Sequence, residues 1–260
     1  MSISLKTILN PNAHANEILM ASCIVHQGVN MESATPNPEA GMNHFSAVRP
    51  LSGNAIMTPA SGVARFTDFV RAKAPQVEVC SSERALLNYL LAKIHVIDPD
   101  VLVGHNIVGF DIDVLLHRFK ACNISAWSKI GRFRRKHMPK LQAGPGGAGN
   151  SSSSERAAAA GRLLCDTWLG SKDLVREANY TLAHLSNKML GITRTPIDMS
   201  TLPSYYATNE TLLDLIRHTE NDAYLAVKLM FHLMMIPLTK QLTALAGNLW
   251  SQTLKGGRSL

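Results

Sequence analysis

The order of hydrophobic and polar residues predicts β-strands at the N-terminus. Ile3–Leu9 and Glu17–His26 are apolar-rich stretches of strand length, and Asn10-Pro11-Asn12 between them is a turn signal. A third strand is predicted at His44–Val48, after a loop at Gly28–Met42 that contains glycine, asparagine and proline.

Further along the chain, strand and helix patterns alternate. Val77–Cys80 is predicted as a short strand, and Ser81-Ser82-Glu83 then opens a helix, because it offers a hydroxyl cap followed by an acid in the first turn. Asp98-Pro99-Asp100 ends this helix. A buried strand at Val101–Gly104 and a helix over 109–121 follow, which gives the alternation typical of an α/β domain.

The C-terminal part is predicted to be mainly helical. Leu182–Leu190 is a short helix with Thr181 as its cap, and Gly191 closes it where a left-handed backbone is tolerated. A long helix is predicted to begin near Asn209 and to end at Pro237.

Low complexity marks the segment before the last predicted strand, Arg162–Asp166. Residues 143–160 read AGPGGAGNSSSSERAAAA. Such a composition predicts a flexible excursion within a domain.

Composition adds one feature, a local excess of positive charge. The chain has 260 residues, 46% of them hydrophobic, and a net charge of +7. Residues 114–154 contain no acid. This indicates a surface for a polyanion such as nucleic acid, with a solvated loop as the alternative. The segment contains the basic residues Arg118, Lys120, Lys129, Arg132, Arg134, Arg135, Lys136 and Lys140, with Trp127 and Phe133 among them.

The cysteines and the apolar stretches do not indicate a zinc site or a membrane-spanning segment. No Cys-x-x-Cys pair occurs, so a zinc site is not indicated, and buried cysteines in a reducing compartment are expected. No secretory signal is visible. Ala223–Leu238 is strongly apolar, but Lys228 and His232 interrupt it, which favours a buried helix and no membrane partner.

Two passages combine carboxylates with defined neighbours. Residues 104–111 read GHNIVGFD after a predicted strand, and residues 218–223 read HTENDA inside the long helix. They resemble the second and third exonuclease motifs of family B DNA polymerases, the former with Asn-x-x-x-Phe-Asp spacing. The resemblance implies a ribonuclease-H-like 3′–5′ exonuclease fold, an α/β architecture with a mixed central β-sheet flanked by helices.

The resemblance extends from about Leu5 to the end of the chain. Similarity to the polymerase alpha branch of the family, which lacks proofreading, is carried by Trp127–Arg132, Met138–Leu141, Gly161-Arg162 with Cys165-Asp166, Ala246–Asn248 and Thr253–Ser259. It implies an exonuclease-like domain over residues 1–240, with 143–160 as a flexible insertion. Residues 241–260 would begin the connection to the polymerase palm.

The first exonuclease motif is missing from its expected place. Exonucleases of this kind use two divalent metals about 3.5–4 Å apart, and several carboxylates are needed to hold ions that repel so strongly. The resemblance implies that an Asp-x-Glu on the first strand supplies two ligands. Ser4 and Lys6 stand there instead, no acid precedes Glu17, and no Asp-x-Glu occurs in the chain. The domain is therefore expected to be catalytically inactive.

The other motif positions are Asp111, His218 and Asp222. The two aspartates are weak candidates for one divalent ion; the alternatives are a helix-start aspartate at Asp111 and a surface acid at Asp222. His218 stands where the resemblance implies a tyrosine that orients water, and a structural role is favoured. Lys6 is expected to pair with Asp111 or Asp222 and to fill the space of a metal. No cofactor is expected in this domain.

For the parent enzyme, the resemblance implies a nuclear, Mg²⁺-dependent DNA-directed DNA polymerase that extends primase-made primers. Its partners would be DNA and RNA–DNA primer-template, the rest of the polymerase chain, and the primase complex through regions outside this chain. The expected nucleic-acid-binding residues are Arg132, Arg134, Arg135, Lys136 and Lys140.

The sequence is also compatible with two alternatives. One is an active metal-dependent exonuclease that uses Asp111 and Asp222 with a further ligand from Glu17, Glu220 or Asp166. The other is a protein-interaction platform that does not contact nucleic acid.

Overall fold

A mixed β-sheet organises the computed structural model, which describes residues 1–10, 14–31, 41–51, 62–141 and 152–255. The sheet has six strands in the order β4-β3-β2-β1-β5-β6. β1 pairs with β2 and β2 with β3 in antiparallel register, whereas the β1–β5, β3–β4 and β5–β6 pairs are parallel. The strands are β1 (Ser2–Asn10), β2 (Ala15–His26), β3 (Met42–Val48), β4 (Val77–Val79), β5 (Val101–Gly104) and β6 (Leu163–Asp166).

Helices follow most of the strands and cover both faces of the sheet. They are α1 (Gly62–Lys73), α2 (Glu83–Ile97), α3 (Ile112–Ala121), α4 (Ser152–Ala158), α5 (Thr167–Leu174), α6 (Leu182–Leu190), α7 (Leu202–Tyr205), α8 (Asn209–His232), α9 (Met235–Ala246) and α10 (Trp250–Thr253). A π-helical turn (Ile107–Asp111) precedes α3, and 3₁₀ turns occur at Trp127–Ile130 and Met199–Thr201.

The predicted caps lie at the ends of their helices. The Ser82 side chain accepts a hydrogen bond from the Ala85 N–H at the start of α2, and the Thr181 side chain accepts one from the His184 N–H at the start of α6. Gly191 closes α6 with a left-handed backbone, as expected. Because such caps satisfy backbone groups that have no partner inside the helix, they fix where each helix begins and ends.

Alternation along the strands separates two hydrophobic layers. Leu102 and Leu164 face a cluster that includes α2 and α3, whereas Val103 and Cys165 face the end of α8 and the start of α9. Helix α8 also contacts β1 and β2. Since side chains alternate between the faces of a strand, the polar face of β1 is turned toward the α8 side of the sheet. The predicted mixed sheet with flanking helices is confirmed.

Three predicted boundaries differ from the structure. The long helix ends at His232, and Pro237 lies in the first turn of α9, where a missing N–H breaks no helical hydrogen bond. The helix predicted over 109–121 begins as a π-turn. Residues 152–158 of the predicted flexible segment form α4, whereas residues 142–151 lie outside the described part. The loop predicted at Gly28–Met42 is described only at its two ends.

Within the described ranges, no single helix has the length and apolar character to cross a membrane. Helices α8 and α9 pass that test only as a pair, bent by 46° at the break between them. Cys23, Cys80 and Cys165 are buried and unpaired, as expected for reduced packing residues.

Candidate functional site

Strand β1, the π-turn and helix α8 bring the motif residues together. Lys6 lies on β1, Asp111 ends the π-turn that follows β5, and α8 carries His218 and Asp222 four residues apart. Residues four apart lie on one face of a helix, so His218 and Asp222 both face the sheet. Ser4 lies two residues before Lys6 on the same face of β1, with Ser22 of β2 as its register partner.

Two cations hold the carboxylate of Asp222. Lys6 Nζ lies 2.7 Å from Asp222 Oδ2. Arg194 adds a bidentate contact, with Nε 2.6 Å from Oδ1 and Nη2 2.9 Å from Oδ2. Asp222 is only 5% exposed, against 14% for Lys6 and 13% for Arg194. The predicted pairing of Lys6 with Asp222 is therefore confirmed, and Arg194 is an additional partner.

The charge state of Asp222 follows from these contacts. Burial by itself raises the pKa of Asp222, but the hydrogen bonds from Arg194 and the charge of Lys6 outweigh it and bring the pKa below its ordinary value. Asp222 is thus an ionised carboxylate neutralised by protein cations.

Asp111 has the opposite environment. It is 5% exposed. Burial raises the pKa of Asp111 well above its ordinary value, and the nearby Asp166 carboxylate raises it further. The Leu5 backbone hydrogen bond and the charge of Lys6 lower it only in part. Two neighbouring carboxylates, Asp222 and Asp111, are therefore driven toward different protonation states.

Replacing Asp111 by asparagine should stabilise the protein at neutral pH. A raised pKa means that the folded protein holds this proton more tightly, so the destabilisation by Asp111 grows as pH rises above the unfolded-state pKa of about 3.9. Asparagine keeps an acceptor for Leu5 and carries no charge. The free energy of unfolding should rise by about 1–3 kcal/mol at pH 7, in the range of one unsatisfied buried polar group. Urea unfolding at pH 3 and pH 7 measures it; an equal effect at both pH values would contradict this explanation.

His218 has a structural contact and does not face open solvent. Its Nε2 lies 2.8 Å from the Thr195 carbonyl oxygen, and its Nδ1 lies 3.6 Å from Asp222 Oδ2. Burial lowers the pKa of His218, and the opposing effect of Asp222 does not restore it. A largely neutral imidazole that donates to Thr195 agrees with the predicted structural role.

Asp166 and His105 fix the loop that leads to Asp111. The Asp166 carboxylate accepts hydrogen bonds from the backbone N–H groups of Asn106, at 2.9 Å, and Val108, at 3.2 Å, and caps α5. His105 contacts Thr167 and the Tyr180 carbonyl, and burial lowers the pKa of His105 to about 4. The expectation of loop hydrogen bonding for His105 is confirmed.

The carboxylates proposed as substitute ligands have other partners. Glu17 pairs with Arg49 at 2.8 Å, and Glu220 accepts a hydrogen bond from the Ser46 hydroxyl at 2.7 Å. The Asp166 carboxylate accepts the backbone N–H groups of Asn106 and Val108. Among the described residues, no group of three or more His, Cys, Asp or Glu side chains is arranged to hold a metal ion.

The residues at the motif positions do not fit a pair of divalent ions. Both oxygens of Asp222 are bound by side-chain cations, and Lys6 adds a positive charge where two ions would already repel each other. Asp111 is driven toward its protonated form. A carboxylate binds a divalent ion in its deprotonated form, and a pair of such ions needs several ionised carboxylates that are not already bound to cations. Asp111 and Asp222 do not meet this requirement.

One cation of the basic segment, Arg132, already has acidic partners. Arg132 lies 2.9 Å from Asp98 and 2.7 Å from Asp100, so its guanidinium already has acidic partners. Trp127 is buried, whereas Phe133 is 61% exposed. The remaining members of the predicted nucleic-acid-binding set are exposed: Arg134, Arg135, Lys136 and Lys140.

Sequence reasoning missed Arg194. It lies in the segment between α6 and the 3₁₀ turn, 28 residues before the aspartate that it binds. No spacing or periodicity connects the two positions, and the neighbouring Gly191 and Pro196 indicate only a turn. A single basic residue in a loop gives no signal of such a contact.

Comparisons with known proteins give consistent results. The family model for the exonuclease domain of DNA polymerase family B matches residues 1–185. The chain is similar to DNA polymerase alpha catalytic subunits from Arabidopsis thaliana, 40% identical over 99% of the chain, Xenopus laevis, 39% over 100%, and Mus musculus, 37% over 100%. It spans 17% of the length of each of these relatives.

Proposed function

This chain belongs to the exonuclease domains of family B DNA polymerases, and from that premise we propose that it is a catalytically inactive 3′–5′ exonuclease-like domain. The observation that carries the proposal is the 2.7 Å contact between Lys6 Nζ and Asp222 Oδ2. An ammonium group stands where the family resemblance implies a carboxylate ligand, and it neutralises the aspartate of the third motif.

The chemical consequence concerns the attacking water. In two-metal nucleases one ion activates water and the other stabilises the leaving oxygen. Here Lys6 and Arg194 both bind Asp222 and would compete with a metal ion for its oxygens. Burial raises the pKa of Asp111, which favours its protonated form. The Nε2 of the His218 imidazole is bound to the Thr195 carbonyl, which supports a structural role. These residues at the motif positions thus stabilise one another, which supports an inactive site.

The role of the domain within a longer polymerase is the second part of the proposal. Its relatives are catalytic subunits of DNA polymerase alpha, which supports a nuclear, replicative parent enzyme that requires Mg²⁺ and extends primase-made primers. The domain would support the polymerase fold and offer a basic surface to DNA or an RNA–DNA primer-template. Contact with primase would be made by regions outside this chain.

The proposed boundary at residue 240 falls inside α9, Met235–Ala246. Leu242, Leu245 and Leu249 beyond it are exposed, at 46%, 86% and 70%. Exposed apolar residues in one uncharged stretch support a contact with the rest of the polymerase chain over residues 241–260.

Digestion of DNA tests the inactivity. The purified protein is incubated with end-labelled single-stranded and 3′-recessed DNA, first with Mg²⁺ and then with Mn²⁺. We expect no more product than with Asp111→Ala, which reports contaminating nuclease. Digestion that disappears in Asp111→Ala would overturn the proposal and favour the active exonuclease.

Removing the exposed cations should weaken binding to single-stranded DNA. The triple variant Arg134→Gln/Arg135→Gln/Lys136→Gln loses up to three phosphate contacts next to the exposed ring of Phe133. The slope of log K against log salt should then become shallower by about 2, at about 0.7 for each contact. Fluorescence anisotropy at several salt concentrations measures it.

A matched variant controls for net charge. Arg71→Gln/Lys73→Gln/Arg217→Gln removes three cations from α1 and α8 and should leave the affinity and the slope unchanged. If the triple variant in the basic segment also binds DNA as the wild type does, the basic surface does not bind nucleic acid, and the protein-interaction platform is favoured.

A further inference from the structure

Arg194 uses both oxygens of the Asp222 carboxylate. Its Nε and Nη2 lie 2.6 Å and 2.9 Å from Oδ1 and Oδ2. A planar guanidinium matches a carboxylate in this bidentate way, and both charges are well shielded from solvent. Lys6 contacts Oδ2 alone. Arg194 therefore occupies more of the carboxylate than Lys6 does.

The surrounding backbone keeps Arg194 in this position. Helix α6 ends at Gly191, whose left-handed backbone (φ 67°) turns the chain toward α8. The next carbonyl after Arg194, that of Thr195, lies 2.8 Å from His218 Nε2. His218 and Asp222 are four residues apart on α8, so one face of this helix holds Arg194 by its side chain and Thr195 by its backbone. The segment is fixed at two successive residues.

We propose that Arg194 is a second block to metal binding at Asp222, independent of Lys6. The inference rests on the proposed function and extends it. The missing acids of the first motif and the Lys6 ammonium form one obstacle, and the Arg194 guanidinium, which binds both oxygens of Asp222, forms another. Restoring Asp and Glu at positions 4 and 6 would leave both oxygens of Asp222 bound to Arg194.

The test compares Mn²⁺ affinity in variants, measured by electron paramagnetic resonance and calorimetry. The starting variant is Ser4→Asp/Lys6→Glu. Adding Arg194→Met should tighten Mn²⁺ binding by at least about tenfold, or 1.4 kcal/mol. Adding Arg217→Met instead removes an exposed cation of α8 that pairs with Asp214, and the affinity should change by less than about twofold, as expected for a solvent-exposed charge.

A second neutral variant separates the block from a folding defect. Ser4→Asp/Lys6→Glu/Arg194→Gln keeps a donor toward Asp222 and should give the same gain in affinity. If neither neutral variant binds Mn²⁺ more tightly than Ser4→Asp/Lys6→Glu, the block by Arg194 is wrong, while inactivity of the wild type stands. Metal-dependent digestion of DNA by the wild type would instead overturn the proposed function itself.

Discussion

Replacing Asp222 by asparagine is expected to destabilise the protein by about 3–5 kcal/mol, the usual cost of removing one partner of a buried ion pair. Lys6 and Arg194 would keep their charges at 14% and 13% exposure without a carboxylate to neutralise them. The sign of this change in unfolding free energy distinguishes a carboxylate held by cations from a metal ligand. In a nuclease site awaiting metal, removing one of several crowded carboxylates relieves repulsion and stabilises the fold.

Chemical denaturation at pH 7 measures this effect, and Asp214→Asn is the matched control. Asp214 lies on the same helix, and its side chain is 66% exposed beside Arg217. A surface change of this kind should alter stability by less than about 0.5 kcal/mol. A gain in stability for Asp222→Asn would show that the cations do not use this carboxylate as their partner.

The pH dependence of the unfolding free energy also reflects the stabilisation by ionised Asp222. Because the folded-state pKa of Asp222 is depressed, its stabilisation is complete above the unfolded-state pKa of about 3.9 and is lost as pH falls through the lower folded-state value. The difference in unfolding free energy between the wild type and Asp222→Asn should therefore shrink in acid below about pH 4.

The second large effect concerns an ion pair that does not include the motif residues. Arg118→Met is expected to destabilise the protein by about 3–5 kcal/mol. Arg118 Nε and Nη2 lie 2.8 Å and 2.5 Å from the two oxygens of Glu83, which is 8% exposed. Methionine preserves the apolar stem of the side chain but removes the guanidinium. Glu83, in the first turn of α2, then keeps the hydrogen bond from the Ile18 N–H of β2.

Arg217→Met is the control for Arg118→Met. It removes the same group from a pair that is 3.5 Å apart and exposed on both sides. Pairs of this kind contribute about 0–1 kcal/mol. Thermal and urea unfolding of the two variants should separate them clearly. Equal losses would mean that the Arg118–Glu83 pair contributes no more than an exposed one.

The sequence predicted those parts of the fold that depend on neighbouring residues. The helix ends at Ser82, Thr181 and Gly191 are where they were predicted, because a cap is a contact within a few residues. The predicted end of the long helix, at Pro237, was wrong because no local signal marks the true end at His232. The chain breaks at Met234, a non-glycine residue with a left-handed backbone (φ 48°), and no local residue signals that break.

The candidate site was predictable only where a motif could be aligned. Lys6 was expected near Asp111 or Asp222 because the resemblance supplied their common location, and Asp222 is the partner. Arg194 and the Arg118–Glu83 pair join residues 28 and 35 positions apart. Such contacts arise from how helices and loops pack on the sheet, which local patterns do not encode. They also show that basic residues in a sequence, such as Arg118 and Arg132, are not all available to a partner.

Titration of Mn²⁺ into the wild-type protein and into Asp111→Asn, followed by calorimetry, shows whether the motif residues still hold divalent ions. If protein cations have replaced the metal ions, the two proteins should give the same weak, unsaturated heats, and no stoichiometric site should appear. Saturable binding of two ions to the wild type, lost in Asp111→Asn, would contradict the account and identify a working metal centre.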